Sequence, residues 1–227
     1  MKVDSRQHQT AYNCEVERLW CEDMIAIAPI KSLPDGSVAT IPMSWAEYQQ
    51  LVANRGDRST PRFKYASGYL TLKMPTFKHG QLNAIVADLI VAILNQQQRD
   101  YVRTTPVTLQ VPEQAGIEPD HCFWVNNWAA VSGKSRIDLA TDPPPDIAVE
   151  VDVTNFTNIA DYISFEIPEV WLIRGDTLAI FGLAPEGYNQ SVSSQFFPEV
   201  DVPNLYQLVM AAVAEGASPP RAIRSVM

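Results

Sequence analysis

The chain has 227 residues, of which 46% are hydrophobic, a formal net charge of −9 and a sequence pI near 4.8. A chain of this size can bury about 70% of its unfolded surface, which is enough for one substantial core and indicates one domain with tails. The acidic balance disfavours tight, nonspecific binding to nucleic acid, which depends on cations that neutralise phosphates. It does not exclude a nuclease, because metal-binding carboxylates count as negative charge until the ion arrives.

The sequence contains no membrane-spanning or signal-peptide pattern and few cysteines. We find no apolar run that approaches the ~20 residues needed to span a membrane, and residues 1–8 lack the apolar region of a signal peptide. We therefore expect a cytoplasmic protein with no membrane partner. The cysteines Cys14, Cys21 and Cys122 are odd in number and fit no zinc spacing, which is typical of a reducing compartment.

The amino-terminal part is predicted to be an extension over residues 1–43, with a helix or short strand within 15–30 and a turn at 34–36. Ser44 and Glu47 form a capping box that predicts the start of a helix. Residues 65–73 then alternate as a strand with a bend at Gly68. These elements precede the strongest helical signal of the chain.

That helical signal runs from His79 to about Gln98, where apolar residues recur at three- and four-residue spacing. His79 lies at the positive end of the helix dipole, where an anion is favoured. A phosphate contact by His79 and a purely structural role in the preceding loop are both compatible with this position.

The second half predicts mainly strands. They cover residues 107–111, 122–125, 170–174 and 177–183, with a hairpin at 175–176, a short helix at 159–165, a closing helix at 203–214 and a loose tail from Gly216. Strands and helices interleave without a strict βαβ repeat. This order favours a mixed α/β or α+β core.

The segment from Pro143 to Val153 predicts a buried strand that carries three carboxylates. Successive side chains of a strand point to opposite faces, so Asp146, Glu150 and Asp152 share one face with Ala148. A buried carboxylate costs several kcal/mol unless a cation or water compensates it. Asp146 and Asp152 fit solvated or capping roles at the strand ends, whereas mid-strand Glu150 favours a functional role.

A second pair of acids, Glu118 and Asp120, precedes the apolar run 122–125. Two strands that each bring an acid to a common face supply the oxygen ligands that a divalent metal ion needs. The sequence therefore indicates a metal site formed by two neighbouring strands.

The ordered motifs of the chain resemble those of the Uma2 family, once called DUF820, which is abundant in cyanobacteria. The resemblance covers roughly residues 44–208 and rests on the motifs Met74-Pro75, His79-Gly80, Gly116 to Phe123, Pro143 to Asp152 and Ile167 to Trp171. It implies a restriction-endonuclease-like core of the PD-(D/E)xK superfamily, a mixed β-sheet flanked by helices. Residues 209–227 would then be the end of the closing helix and a tail.

The resemblance also implies a metal-dependent endonuclease that hydrolyses phosphodiester bonds in nucleic acid, with DNA the favoured partner. Asp120 and Glu150 would hold Mg²⁺ or Mn²⁺, and His79 would join them as a catalytic residue. The accessory candidates are Glu118, Asp146, Asp152, Asn158, Tyr162, Lys73 and Lys78. The oligomeric state is left open, with a homodimer as one alternative.

The chain departs from the family pattern at one position. No Lys or Arg lies between Asp152 and Trp171, and Asn158 stands about where the family usually places a Lys. An amide can hydrogen-bond to a phosphate but cannot supply charge, so activity would be weakened unless Lys73 or Lys78 replaces the missing cation. The alternative hypothesis is an inactive nuclease fold that binds nucleic acid or a protein partner.

Overall fold

The computed structural model describes residues 33–56, 58–154 and 156–227. Its strands are β1 (Val38–Pro42), β2 (Arg62–Ala66), β3 (Tyr69–Lys73), β4 (Val102–Thr104), β5 (Leu109–Val111), β6 (Ala115–Ile117), β7 (His121–Trp124), β8 (Ile147–Val151), β9 (Glu169–Arg174), β10 (Thr177–Ala184) and β11 (Gly187–Ser191). Its helices are α1 (Trp45–Arg55), α2 (Phe77–Gln96), α3 (Trp128–Val131), α4 (Val202–Ala214), α5 (Pro219–Val226) and a 3₁₀ helix (Ile159–Phe165).

The strands form two sheets. The first has the order β1-β3-β2-β6-β5, and the second has the order β11-β10-β9-β8-β7-β4. Strands β8 and β9 are parallel and their neighbours pair antiparallel, so the second sheet is mixed. The chain passes from the first sheet to the second between β3 and β4, returns between β4 and β5, and passes again through the short link 118–120 between β6 and β7. The predicted mixed fold with flanking helices is confirmed.

The second sheet has a core on each face, as the alternation along β8 predicted. Ile147, Val149 and Val151 face the core that contains α2, α4 and α5. Ala148 faces the opposite core, which contains residues of β5, β6 and the 3₁₀ helix. Glu150 shares the parity of Ala148, and its side chain therefore lies between the two sheets.

Helix α2 supplies a large part of the first core. Its buried residues are Leu82, Ile85, Val86, Ala87, Leu89, Ile90, Ile93 and Leu94. Among the described helices, α2 is the one long and apolar enough to cross a membrane by length and composition, with 20 residues and a mean hydropathy of 1.3, whereas our sequence criterion found no such segment. That test is also passed by core helices, and the apolar face of α2 packs against the second sheet.

Helix α1 covers the first sheet. The predicted capping box is present, since the Ser44 amide donates to Glu47 Oε2 at 2.7 Å and the Glu47 amide donates to Ser44 Oγ at 3.3 Å. Tyr48 and Leu51 project from α1 into a core with Phe63 and other side chains of the β2–β3 hairpin. The first sheet is therefore fixed by its own small core.

Several predicted boundaries were wrong. Residues 62–73 form a hairpin of two strands, because Ser67 and Gly68 adopt positive φ angles of 52° and 79° and reverse the chain. Helix α2 begins at Phe77, because Thr76 Oγ1 caps the helix by accepting from the His79 amide. The capped turn thus places His79 inside the helix rather than at its start.

Both ends of the described chain are also more ordered than we expected. Strand β1, which we assigned to the extension 1–43, pairs with β3 at the edge of the first sheet. The predicted loose tail contains α5, whose Ala222 and Ile223 are buried against the core. Cys14, Cys21 and the element predicted within 15–30 lie outside the described residues.

Close packing at Gly116 gives a test of this arrangement. A Cβ atom at Gly116 would overlap the hydroxyl of buried Tyr48, whereas a Cβ atom at Gly80 in α2 would meet no atom within 4 Å. Gly116→Ala should therefore lower the free energy of unfolding by about 1–3 kcal/mol. Gly80→Ala should raise it by about 0.5–1 kcal/mol, because glycine disfavours a helix. Urea unfolding measures both, and equal effects would contradict the packing described.

Candidate active site

The two acids singled out by the sequence come together where β7 begins and β8 ends. Strand β7 pairs His121 with Val149, and the next step of this register places Asp120 opposite Glu150. The Asp120 amide donates to the Val149 carbonyl at 3.0 Å, and Asp120 Oδ2 accepts from the Val151 amide at 2.9 Å. Both acids line one pocket between the two sheets.

Asp120 is buried and surrounded by positive charge. His79 Nε2 lies 2.9 Å from its Oδ2 atom, and Arg62 Nη2 lies 3.8 Å from its Oδ1 atom. Burial alone would raise the pKa of Asp120, but the hydrogen bond and charge of His79, the charge of Arg62 and the Val151 amide together lower it. Asp120 is therefore an ionised carboxylate in a buried position.

His79 is held toward the pocket by the first turn of α2. Burial favours its neutral form, but the hydrogen bond and charge of Asp120 outweigh burial and, together with Glu150, raise the pKa of His79 above its ordinary value. The contact with Asp120 therefore favours the protonated form of His79. The imidazole lies in the pocket, which is the position that a phosphate contact by His79 would require.

Glu150 has the opposite electrostatic balance. Burial and then the charge of Asp120 raise the pKa of Glu150 to about 7, although Lys73 and a hydrogen bond donated by the Tyr162 hydroxyl favour its charged form. Two carboxylates at one place repel each other unless a cation neutralises them. A strongly shifted carboxyl in a pocket is typical of a functional site.

The first sheet contributes cations to the same pocket. Arg62 and Lys73 are direct cross-strand partners in the β2–β3 hairpin, and both line the pocket, as does Lys64. Like charges directly opposite each other destabilise a sheet, so this pair depends on the neighbouring acids. Lys64 Nζ forms an ion pair with Asp161 Oδ2 at 2.6 Å.

Our sequence reasoning missed Arg62, Lys64 and Asp161. The alternation Arg62-Phe63-Lys64-Tyr65 carries the signal, because Phe63 and Tyr65 are buried and the basic residues lie on the other face. We began the strand at Tyr65 and so left the basic residues out of the pattern.

Glu118 lines the pocket, but other groups saturate its carboxylate. Arg55 donates to both of its oxygens, at 2.7 Å for the Nη1–Oε2 bond, and the Phe63 amide and the Thr108 hydroxyl donate at 2.9 and 2.8 Å. These donors satisfy Glu118 within a buried ion pair. Its role is to fix the link between the sheets.

Asp146 and Asp152 do not line the pocket, and other groups donate hydrogen bonds to their carboxylates. Asp146 Oδ2 accepts from the amides of Val125 and Asn126 at 2.6 and 2.8 Å and so holds the end of β7. Asp152 accepts from the amide and hydroxyl of Thr157 and from Arg174 Nε. These contacts match the capping role that the strand ends suggested.

Asn158, which we expected at the position of the family's Lys, does not line the pocket that holds Asp120 and Glu150. Asn158 is exposed and caps the 3₁₀ helix by accepting from the Ala160 amide at 3.3 Å, while its amide donates to Asp161 Oδ1. Lys78 is exposed on α2 and lies outside the pocket lining, whereas Lys73 belongs to the lining. Of the two candidate replacement cations, the structure brings only Lys73 to the acids.

The donor set of the pocket suits a hard divalent cation. The described part of the chain contains no group of three or more His, Cys, Asp or Glu residues arranged to hold a metal. Mg²⁺, however, commonly uses one or two carboxylates and keeps several waters. Within the described residues, Asp120 Oδ1 and Glu150 Oε2 make no hydrogen bond, and Asp120 Oδ1 has Arg62 Nη2 as an ion-pair partner at 3.8 Å. Asp120 and Glu150 therefore fit as the protein ligands of such an ion.

The raised pKa of Glu150 predicts how stability depends on pH. Because folding favours the protonated form, the stabilisation is complete below the ordinary pKa of 4.5 and is lost as the pH rises through about 7. In EDTA at about pH 8, Glu150→Gln should raise the free energy of unfolding by about 1–3 kcal/mol, and at about pH 4.5 it should change little. Urea titrations measure this, with exposed Glu199→Gln as the control. A Glu150→Gln effect that is the same at both pH values would contradict it.

Comparisons with known proteins identify the fold and the family. The chain is similar over 82% of its length, and over 100% of the other chain, to the crystal structure of "a putative nuclease belonging to DUF820 from Anabaena variabilis ATCC 29413", with a TM-score of 0.52 and 15% sequence identity. That likeness shows a shared fold. A comparison with curated proteins gave no match. The family model of Uma2, described as "Putative restriction endonuclease", matches residues 45–214, and the chain therefore belongs to the Uma2 family.

Proposed function

We propose that this protein is a divalent-metal-dependent endonuclease that hydrolyses phosphodiester bonds in nucleic acid, with DNA as the favoured substrate. One observation carries the proposal. Asp120 and Glu150 meet in one pocket, each with a carboxylate oxygen free of described hydrogen bonds, and burial together with the charge of Asp120 raises the pKa of Glu150 to about 7. Family membership supports a nuclease in general terms.

In this proposal Asp120 and Glu150 hold Mg²⁺ or Mn²⁺, and a bound ion of this kind lowers the pKa of a coordinated water and screens phosphate charge. His79 orients Asp120 through the 2.9 Å bond to Oδ2, which leaves Oδ1 directed to other partners. Tyr162 donates to Glu150 Oε1 and fixes that side chain in the same way. Both bonds hold the ligands in place before an ion binds.

In this proposal Lys73 supplies the positive charge that Asn158 lacks. It lies at the end of β3, lines the pocket and favours the charged form of Glu150, so its ammonium is close to the acids. A cation there would stabilise charge on the attacked phosphate. Arg62, its cross-strand partner, adds a second positive charge facing Asp120.

The inactive binding module remains the second candidate, and one observation favours it. Asn158 is committed to capping the 3₁₀ helix, so the usual source of the catalytic cation is absent from this element. If Lys73 does not replace that cation, the pocket binds phosphates without cleaving them efficiently. The two candidates therefore differ in the role of Lys73.

Metal binding can be tested without measuring activity. Mn²⁺ should raise the melting temperature of the wild type, because a ligand that binds only the folded state stabilises it. Asp120→Asn and Glu150→Gln should each remove this shift, while exposed Glu199→Gln should retain it. Thermal melts at several Mn²⁺ concentrations measure the effect. An undiminished shift in Glu150→Gln would show that Glu150 is not a ligand.

Cleavage separates the two candidates. With Mn²⁺ and plasmid or single-stranded DNA, Lys73→Gln should lower the cleavage rate by about 10²-fold, as expected for loss of one positioned electrostatic group. Lys78→Gln is the matched control, because Lys78 is exposed on α2 and outside the pocket lining, and it should leave the rate nearly unchanged. Asp120→Ala should abolish cleavage.

The outcomes are distinct. Equal rates for Lys73→Gln and the wild type would remove Lys73 from the mechanism and direct attention to Lys64 and Arg62. A wild type that binds Mn²⁺ but cuts no DNA would favour the binding module.

A further inference from the structure

A second pocket adjoins the first through the buried Arg55–Glu118 pair. Glu118 lines the acidic pocket, whereas Arg55 lines the second pocket, which encloses about 430 Å³. The end of α1, the segment from β4 to β5 and residues 131–137 after α3 form its walls. A volume of this size accommodates a small organic ligand.

The lining of this second pocket is positively charged, in contrast to the chain as a whole. Its charged residues are Arg55, Arg58, Lys134 and Arg136, and no Asp or Glu of the described chain lines it. The chain carries a net charge of −9, so the charge of this pocket lining is opposite in sign to that of the chain as a whole. A pocket of this kind favours an anionic ligand.

Two of these cations have no neutralising partner among the residues that the structure describes. Glu118 neutralises Arg55, and Asp142 neutralises Lys134. Arg58 donates to the backbone carbonyls of Arg55 and Asn54 at 3.1 and 3.2 Å, and neither contact neutralises its charge. Arg136 is exposed and forms no ion pair or hydrogen bond with described residues.

Arg55 contains a buried donor that no described residue satisfies. Its side chain is 6% exposed, and its Nε atom is buried with no hydrogen-bond partner among the described residues. A buried donor without an acceptor is costly, and native structures seldom retain one without a reason. A buried water or another acceptor that reaches this atom would satisfy it.

The rest of the lining is suited to a nucleobase. Partly exposed apolar side chains line it beside hydrogen-bonding groups, namely Val102, Pro106, Val107 and Ile137 together with Thr104, Gln110 and Ser135. A flat heterocycle can contact the apolar side chains while its edge meets the polar ones. Phosphate recognition by guanidinium groups would complete the binding of a nucleotide.

We propose that this second pocket binds one phosphate-bearing nucleotide, with the phosphate at Arg58 and Arg136 and the base against the apolar wall. A free nucleotide and a nucleotide within a strand present the same chemistry. That the nucleotide belongs to a nucleic-acid strand which also reaches the acidic pocket rests on the proposed nuclease function. The pocket itself does not depend on catalysis.

Fluorescence anisotropy with a labelled single-stranded DNA of about 12 nucleotides, in EDTA and at low salt, tests this site without cleavage. Arg136→Gln removes no described contact and should weaken binding by about tenfold, as expected for loss of one charge-assisted bond. It should also reduce the slope of log K against log salt by about 0.7. Arg221→Gln, an exposed charge on α5, is the matched control and should have little effect on either quantity.

Two further arms identify the source of the nucleotide and exclude misfolding. Competition by deoxyadenosine monophosphate at low concentration, lost in Arg136→Gln, would indicate a free nucleotide, and resistance to it would indicate a strand. Arg136→Lys should recover part of the affinity, and thermal melts should show unchanged folding. Equal binding by Arg136→Gln and Arg221→Gln to both probes would overturn the proposal.

Failure of this site can be distinguished from failure of the nuclease. Binding that depends on Arg136, together with absent Mn²⁺-dependent cleavage, would support the nucleotide pocket and contradict the proposed enzyme. Mn²⁺-dependent cleavage that needs Asp120, with binding indifferent to Arg136, would do the reverse.

Discussion

The buried ion pair between Arg55 and Glu118 fixes the geometry on which the rest of the site depends. Removing two charges from water is costly, and such a pair is tolerated only when hydrogen bonds complete it. Here the Phe63 amide and the Thr108 hydroxyl supply those bonds, so α1, the first sheet and the link 118–120 are tied at one point. Asp120 lies two residues beyond Glu118 and is positioned by the same anchor.

The two sheets contribute different charges to the pocket. The link and β8 of the second sheet bring Asp120 and Glu150, while the hairpin of the first sheet brings Arg62 and Lys73. Neither set is favourable alone, since two carboxylates repel each other and two cross-strand cations do the same. The cations of the first sheet and the acids of the second offset each other's repulsion. The distance between the two sheets is therefore set by electrostatics as well as by packing.

Sequence reasoning succeeded where the signal is local and failed where it is not. Alternation along β8 predicted that Glu150 lies on the face opposite Val149 and Val151, because side-chain parity depends only on neighbouring residues. The partner of Glu118 lies 63 positions away at Arg55, and no local pattern connects them. The roles of Asp120 and Glu150 as metal ligands remain predictions, while their meeting in one pocket is a feature of the fold.

Our sequence prediction places the family's Lys at Asn158, and the pocket forms without a cation there. The 3₁₀ helix that would carry the usual cation instead has an acid, Asp161, which receives Lys64 from the first sheet at 2.6 Å. Positive charge thus enters the pocket from strands rather than from this helix. Lys73 lies in β3, whose backbone pairs with β1 on one side and β2 on the other. If Lys73 serves the reaction, its contribution depends on the Arg55–Glu118 anchor, because that pair sets how closely the first sheet approaches Glu150.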